Sequence, residues 1–187
     1  MGVPTGTDFK DYTKEKNIMG VNFYHSKSEN GHGKPWFYVD PKSGNKIDGF
    51  AYSRMAFARG RMASHFNLEL GIVISTLPDL WSPRMKEIGK DIDPYVPPHV
   101  AKFLCTPDCD GCLSPELCKE IVSEFGKSYD PYYPIEGCKM DRGMHIPNVP
   151  DYFDNQILMI DETAWNANYL WNGIKKAAEK KLFFRWS

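Results

Sequence analysis

Four thiols fall within one short stretch, Cys105-Thr-Pro-Asp-Cys109-Asp-Gly-Cys112-Leu-Ser-Pro-Glu-Leu-Cys118, with the spacing C-x3-C-x2-C-x5-C. Thiolates are soft donors that suit Zn²⁺ or iron–sulfur clusters, and gathering four of them around one centre requires tight turns. Pro107, Gly111 and a helix start at Ser114 can supply those turns, and the positive end of that helix favours a negatively charged centre. Cys105, Cys109, Cys112 and Cys118 are therefore the expected ligands of one metal centre, with Cys138, His99 or His145 as substitutes for one of them. Structural zinc sites generally use two separated C-x2-C knuckles, whereas this stretch has one such pair, Cys109 and Cys112. The compact run thus favours one [4Fe–4S] cluster over one Zn²⁺. The competing reading is five structural cysteines without metal.

Other residues invite weaker chemistry. The first three cysteines share the spacing of radical S-adenosylmethionine enzymes, but only 187 − 112 = 75 residues follow Cys112. Gly111 also stands where that family usually has an aromatic residue, so nothing is carried over from it. Arg54, Arg61 and His65, at steps of seven and four, share a helical face and form a candidate anion site. The alternative for them is a solvated helix face. Gly31-His32-Gly33-Lys34 lacks the glycine spacing and the Ser or Thr of a phosphate loop and reads as a turn. Asp108-Cys109-Asp110-Gly111 fits a calcium loop poorly. His25, His99 and His145 are candidate bases or ligands, with surface or core-edge histidines as the alternative.

Composition narrows the function classes. Lys plus Arg total 23 and Asp plus Glu 24, a net charge of −1, so no global field draws the chain to nucleic acid. The longest apolar run, Leu68 to Leu77, is interrupted by Glu69, Gly71, Ser75 and Thr76 and falls short of the ~20 residues of a membrane span. An odd number of cysteines, no Asn-x-Ser/Thr sequon and no apolar leader give a cytoplasmic, reducing expectation. Aromatic residues make up 14% of the chain and suit interfaces as well as cores. Together these features predict a small subunit or accessory protein that carries an iron–sulfur or zinc centre within a larger enzyme complex. Two alternatives stand beside it: a free-standing metal-dependent enzyme with a cysteine-ligated catalytic site, and a metal-free interaction or inhibitor protein that acts by surface docking. The aromatic segment Leu182-Phe183-Phe184-Arg185-Trp186-Ser187 is the expected anchor for a protein partner or for self-association, with packing onto the chain's own core as the alternative.

The elements that must position these residues read as an α+β fold in one compact domain over residues 1–187. Residues 1–30 are polar. Two aromatic or β-branched runs, Lys34 to Asp40 and Lys46 to Tyr52, flank a Pro/Gly/Asn turn and predict a β-hairpin. Met55, Ala58, Met62 and Phe66 recur at helical steps over residues 53–66. Leu68 to Thr76, with three consecutive β-branched residues, predicts a buried strand. A helix is expected over residues 79–90, then proline-broken chain, then the cysteine-rich loop and helix of residues 99–126. That helix has Ser114 as N-cap, Pro115 at its first position and Gly126 as its stop. Residues 127–152 predict an irregular Pro/Tyr-rich connection and residues 157–160 a short strand. An amphipathic helix opens at Asp161-Glu162 and places Ala167, Leu170, Trp171 and Ile174 on one face.

Overall fold

The computed structural model describes residues 20–39, 44, 46, 47, 49–76, 94–107, 110–132 and 164–187. The expected helix over residues 79–90, the strand over residues 157–160 and most of the connection over residues 127–152 lie outside them, as do residues 1–19 of the polar N-terminal segment.

An antiparallel sheet forms one layer. Strand β1 (Gly20–Ser26) pairs on one side with β2 (Lys34–Pro35) and β5 (Gly49–Ala51), and on the other with β7 (Phe183–Trp186), which in turn pairs with β6 (Gly111–Leu113). A separate pair, β3 (Tyr38–Val39) and β4 (Lys46–Ile47), joins the two arms of the expected hairpin. Both arms therefore return to β1, which is why the runs before and after the turn read as extended. Along β1, Val21, Phe23 and His25 are buried while Asn22 is exposed and Tyr24 half-buried, the period-two alternation of a sheet with one face on the core.

Helices cover that face. They are α1 (Tyr52–Ser64), α2 (Leu68–Thr76), α3 (Pro98–Leu104), α4 (Pro115–Phe125) and α5 (Ala164–Lys180). Helices and an antiparallel sheet make the chain α+β, as its sequence predicts. Helix α5 contributes Tyr169, Leu170, Ile174 and Ala177 to the core, and the ring of Tyr169 meets Phe23 edge-on at 5.1 Å. On α4 the expected signals hold: the Ser114 hydroxyl accepts from Leu117 N, Glu116 lies in the first turn, and Gly126, at φ 79°, ends the helix. Helix α5 ends at Lys181, whose φ of 54° is left-handed, and Leu182 N–H returns to the carbonyl of Ala177. That turn sends the chain straight into β7.

Residues 68–76 are helix α2, and the strand expected there is corrected. Asn67 starts the helix, its side-chain oxygen accepting from Leu70 N at 2.8 Å. Tertiary packing then outweighs the weak preference of the β-branched residues. Gly71 faces Gly60 of α1 so closely that a Cβ on Gly71 would lie 2.6 Å from the Gly60 carbonyl oxygen and 2.7 Å from Ser64 Cβ. The two helices touch backbone to backbone. Helix propensity alone favours Gly71→Ala by about 1 kcal/mol. The close approach reverses that sign, and the expected outcome is a loss of about 1–3 kcal/mol in urea unfolding. An equal or higher midpoint would show that the crossing is looser.

The start of α3 has no cap of its own, since Pro97 offers no side-chain acceptor. Glu124, on α4, fills the role: its carboxylate accepts from His99 N and from Val100 N at 2.9 Å, and pairs with His99 Nδ1 at 2.6 Å. Glu124→Ala is expected to cost about 1–2 kcal/mol, the range for a lost N-cap, and to loosen α3 before α4. Amide hydrogen exchange at residues 99–101 checks this, with unchanged protection counting against it.

Candidate functional site

The expected metal ligands among the described residues do not converge. Cys105 caps the end of α3 and is exposed, Cys112 is half-buried in β6, and Cys118 is fully buried on α4. Cys109, Cys138 and His145 lie outside the described residues. His99, held by Glu124, belongs to the capping arrangement at α3. Among the described residues no group of three or more His, Cys, Asp or Glu side chains stands close enough to hold a metal ion. The iron–sulfur or zinc centre is thereby overturned, and with it the accessory-subunit and metalloenzyme readings built on that centre. The physical reason is visible at Cys118. On α4 it shares the inward face with Ile121 and Phe125, and burial, with lesser contributions from Cys112 and Glu116, pushes its thiol up to about 12. A thiol so placed packs as a small apolar side chain.

Arg54, Arg61 and His65 have separate surroundings. Arg54 is exposed, and buried Arg61 donates from Nε to the Pro131 carbonyl at 3.0 Å, tying the turn after α4 to α1. The His65 ring packs among Phe66, Phe125 and Tyr129, with centroids 4.8–5.7 Å away. The aromatic tail is strand β7. Phe184 and Trp186 have no exposed surface, and Trp186 Nε1 donates to the Pro107 carbonyl at 2.9 Å. These two rings thus pack in the chain's own core, the alternative reading of the segment, while Leu182, Phe183 and Arg185 are half-buried.

A concave site does form at the end of β1, where the loop into β2 faces the last turns of α5. The cavity measures about 530 Å³, within the range of small-molecule sites. Trp36 and Phe37, with Pro35 and Leu182, give it apolar walls, and Lys27, Lys34 and Lys176 bring positive charge to it. Among the described residues its lining contains no Asp or Glu. Trp36 is the fixed wall: its backbone N–H donates to the Phe23 carbonyl at 2.7 Å, and its own carbonyl accepts from the Tyr169 hydroxyl at 2.7 Å. Lys176 Nζ stands 5.1 Å from the centre of the indole, a cation–π contact. The indole Nε1–H is buried without an acceptor among the described residues.

His25 reaches the cavity from β1. Its ring packs against Trp36 and Phe184 at 5.0 and 5.2 Å, and Nε2 lies 2.9 Å from the Gly173 carbonyl of α5. A carbonyl only accepts, so Nε2 carries the proton and Nδ1 keeps its lone pair. A Cβ at residue 173 would collide with the Phe184 ring, so the bare glycine lets β7 and α5 close around this contact. Burial holds the His25 pKa below its ordinary 6.5; the Gly173 bond works in the opposite direction and the Lys176 charge adds to the lowering. The folded state therefore binds fewer protons at this residue than the unfolded chain does. Its contribution to stability is complete above pH 6.5 and is lost as pH falls from there through the lower folded value. His25→Gln keeps a donor toward Gly173 and does not titrate. The stability of the native chain minus that of the variant should decline from pH 7.5 to pH 5, read as urea midpoints; a constant difference would refute the sign.

His25 was legible as a candidate base, but its partners were not. Trp36 and Lys176 are 140 residues apart (176 − 36), so no local spacing connects them. No sequence family, curated protein or solved structure gives a significant match to this chain.

Proposed function

We propose that this protein binds a small organic anion with a flat apolar body in the cavity between the β1–β2 loop and α5. The observation that carries the reading is the charge of the lining: three lysines around an indole and a phenyl ring, with no carboxylate among the described lining residues. Because the whole chain has a net charge of −1, this concentration of positive charge is local. In a partly enclosed site such a field attracts an anion more strongly than the same lysines would in open water. The apolar walls supply the contact area, and the ammonium groups of Lys27, Lys34 and Lys176 supply the orientation.

Phe37 and Val39, the large apolar side chains exposed among the described residues, lie on the segment that leaves the cavity. Phe37 also lines the cavity, and Lys46 Nζ stands 4.3 Å from the centre of its ring. An aromatic ligand thus meets apolar surface before it meets Trp36. No helix among the described residues is long and apolar enough to cross a membrane.

The test compares 2-naphthoate with methyl 2-naphthoate, which has the same ring and no charge, by calorimetric titration. The acid is expected to bind at least tenfold more tightly than the ester. Lys176→Met, which keeps the stem and removes the charge, should narrow that preference about fivefold, the effect of roughly 1 kcal/mol. Undetectable binding of the acid, or equal affinity for acid and ester, would overturn the proposal.

A further inference from the structure

The polar groups of the cavity are not all alike. The three lysines only donate, and the Ser26 hydroxyl donates to the Ser28 carbonyl at 2.6 Å. His25 differs from the ammonium groups, which only donate. Its Nε2 proton is committed to the Gly173 carbonyl, which leaves Nδ1 as an acceptor with no hydrogen bond from the described residues. The ring is gripped between Trp36 and Phe184, so it cannot turn to exchange the two nitrogens without breaking the bond to α5.

Resting on the anion-binding reading above, we propose that the ligand also carries a hydroxyl or amine that donates a hydrogen bond to His25 Nδ1, making the ligand class a hydroxy- or amino-substituted aryl carboxylate. The two ends of such a molecule match the two kinds of polar group present. Its carboxylate meets the lysines, and its donor meets the recessed imidazole. The charged groups facing this region are Lys176 from α5, Lys27 from the loop and Lys34 from β2, with the His32 ring beside them. Burial, and after it the Lys176 charge, oppose a positive charge on the His25 ring. A neutral imidazole with a fixed tautomer is a directional acceptor, and an analogue that lacks the donor forgoes that hydrogen bond.

Four probes decide it: 2-naphthoate, its 3-hydroxy and 6-hydroxy derivatives, and the methyl ether of whichever hydroxy acid binds better. At pH 7.5 the better hydroxy acid should bind roughly tenfold more tightly than 2-naphthoate, and O-methylation should remove the gain. His25→Phe should remove the same gain, so that the hydroxy acid and 2-naphthoate bind the variant with equal affinity. Should that variant fail to fold, ¹⁵N NMR of the native chain gives an independent reading: the His25 Nδ1 resonance should shift toward a hydrogen-bonded value with the hydroxy acid and stay in place with 2-naphthoate. Equal affinity for the naphthoate and both hydroxy acids, with Nδ1 unmoved, would overturn this inference and leave the anion reading standing. No binding by any of the acids would overturn both.

Discussion

The pairing of β7 between β1 and β6 holds the described structure together. It brings residues 183–186 into register with residues 23–26 on one side and 111–113 on the other. The three strands are far apart in the chain, so nothing local enforces their meeting, and ordering them carries the loop-closure cost of long-range contacts. What offsets that cost is aromatic burial. Phe23 stacks on Phe184 at 5.7 Å, Phe184 meets Trp186 at 6.0 Å, and both β7 rings are fully buried. Each such ring removes a large apolar area from water, worth a few kcal/mol apiece. Gly111 makes the register possible, since any Cβ there would run into the Trp186 indole.

This constraint also explains the fate of the cysteine stretch. Once Gly111, Cys112 and Leu113 are paired to β7, alternate side chains must point to opposite faces of the sheet. Leu113 goes to the core and Cys112 opposite Arg185, whose charge partly counters the burial that raises the Cys112 pKa. Helix α4, starting at Ser114, then carries Cys118 inward. Spacing along the chain shows how close thiols can come, and pairing in space decides where each one points. The sequence carried strong evidence for the helix start and none for the strand before it, because three residues reading Gly-Cys-Leu have no strand signature of their own.

Elsewhere legibility follows the same division between local and long-range causes. Helices α1, α4 and α5 were readable because their apolar residues recur at helical steps and, in α4, because Ser114, Pro115 and Gly126 punctuate the ends. The hairpin was readable from its turn. Helix α2 was not, since a nine-residue apolar run suits a buried strand or a buried helix equally, and the deciding contact, Gly60 against Gly71, lies on two different elements. Asn67 before Leu68 and Glu69 was the local sign of a helix start, outweighed in the reading by Ile72, Val73 and Ile74. The cavity had no local sign at all. Its residues come from the end of β1, the loop after it, the chain beyond β2 and the end of α5, and only the β1–β7 pairing brings the last of these to the others.

That origin gives the cavity two parts of different stiffness. The inner part is built from core bonds: the Trp36 backbone is held at both its N–H and its carbonyl, His25 is pinned to α5, and Leu182 follows the left-handed turn at Lys181 into β7. None of these groups must give up freedom when a ligand arrives. The outer part consists of lysine side chains and the loop of residues 27–33, which is tied to the sheet where Arg185 donates to the Gly31 carbonyl at 3.1 Å. Ordering a lysine on binding costs about 0.5–1.5 kcal/mol, so the rim contributes less net affinity than its charge alone suggests. The division of labour follows from that difference. The rigid indole and imidazole fix the shape of the inner wall, while the ammonium groups at the rim draw anions toward the opening and orient them.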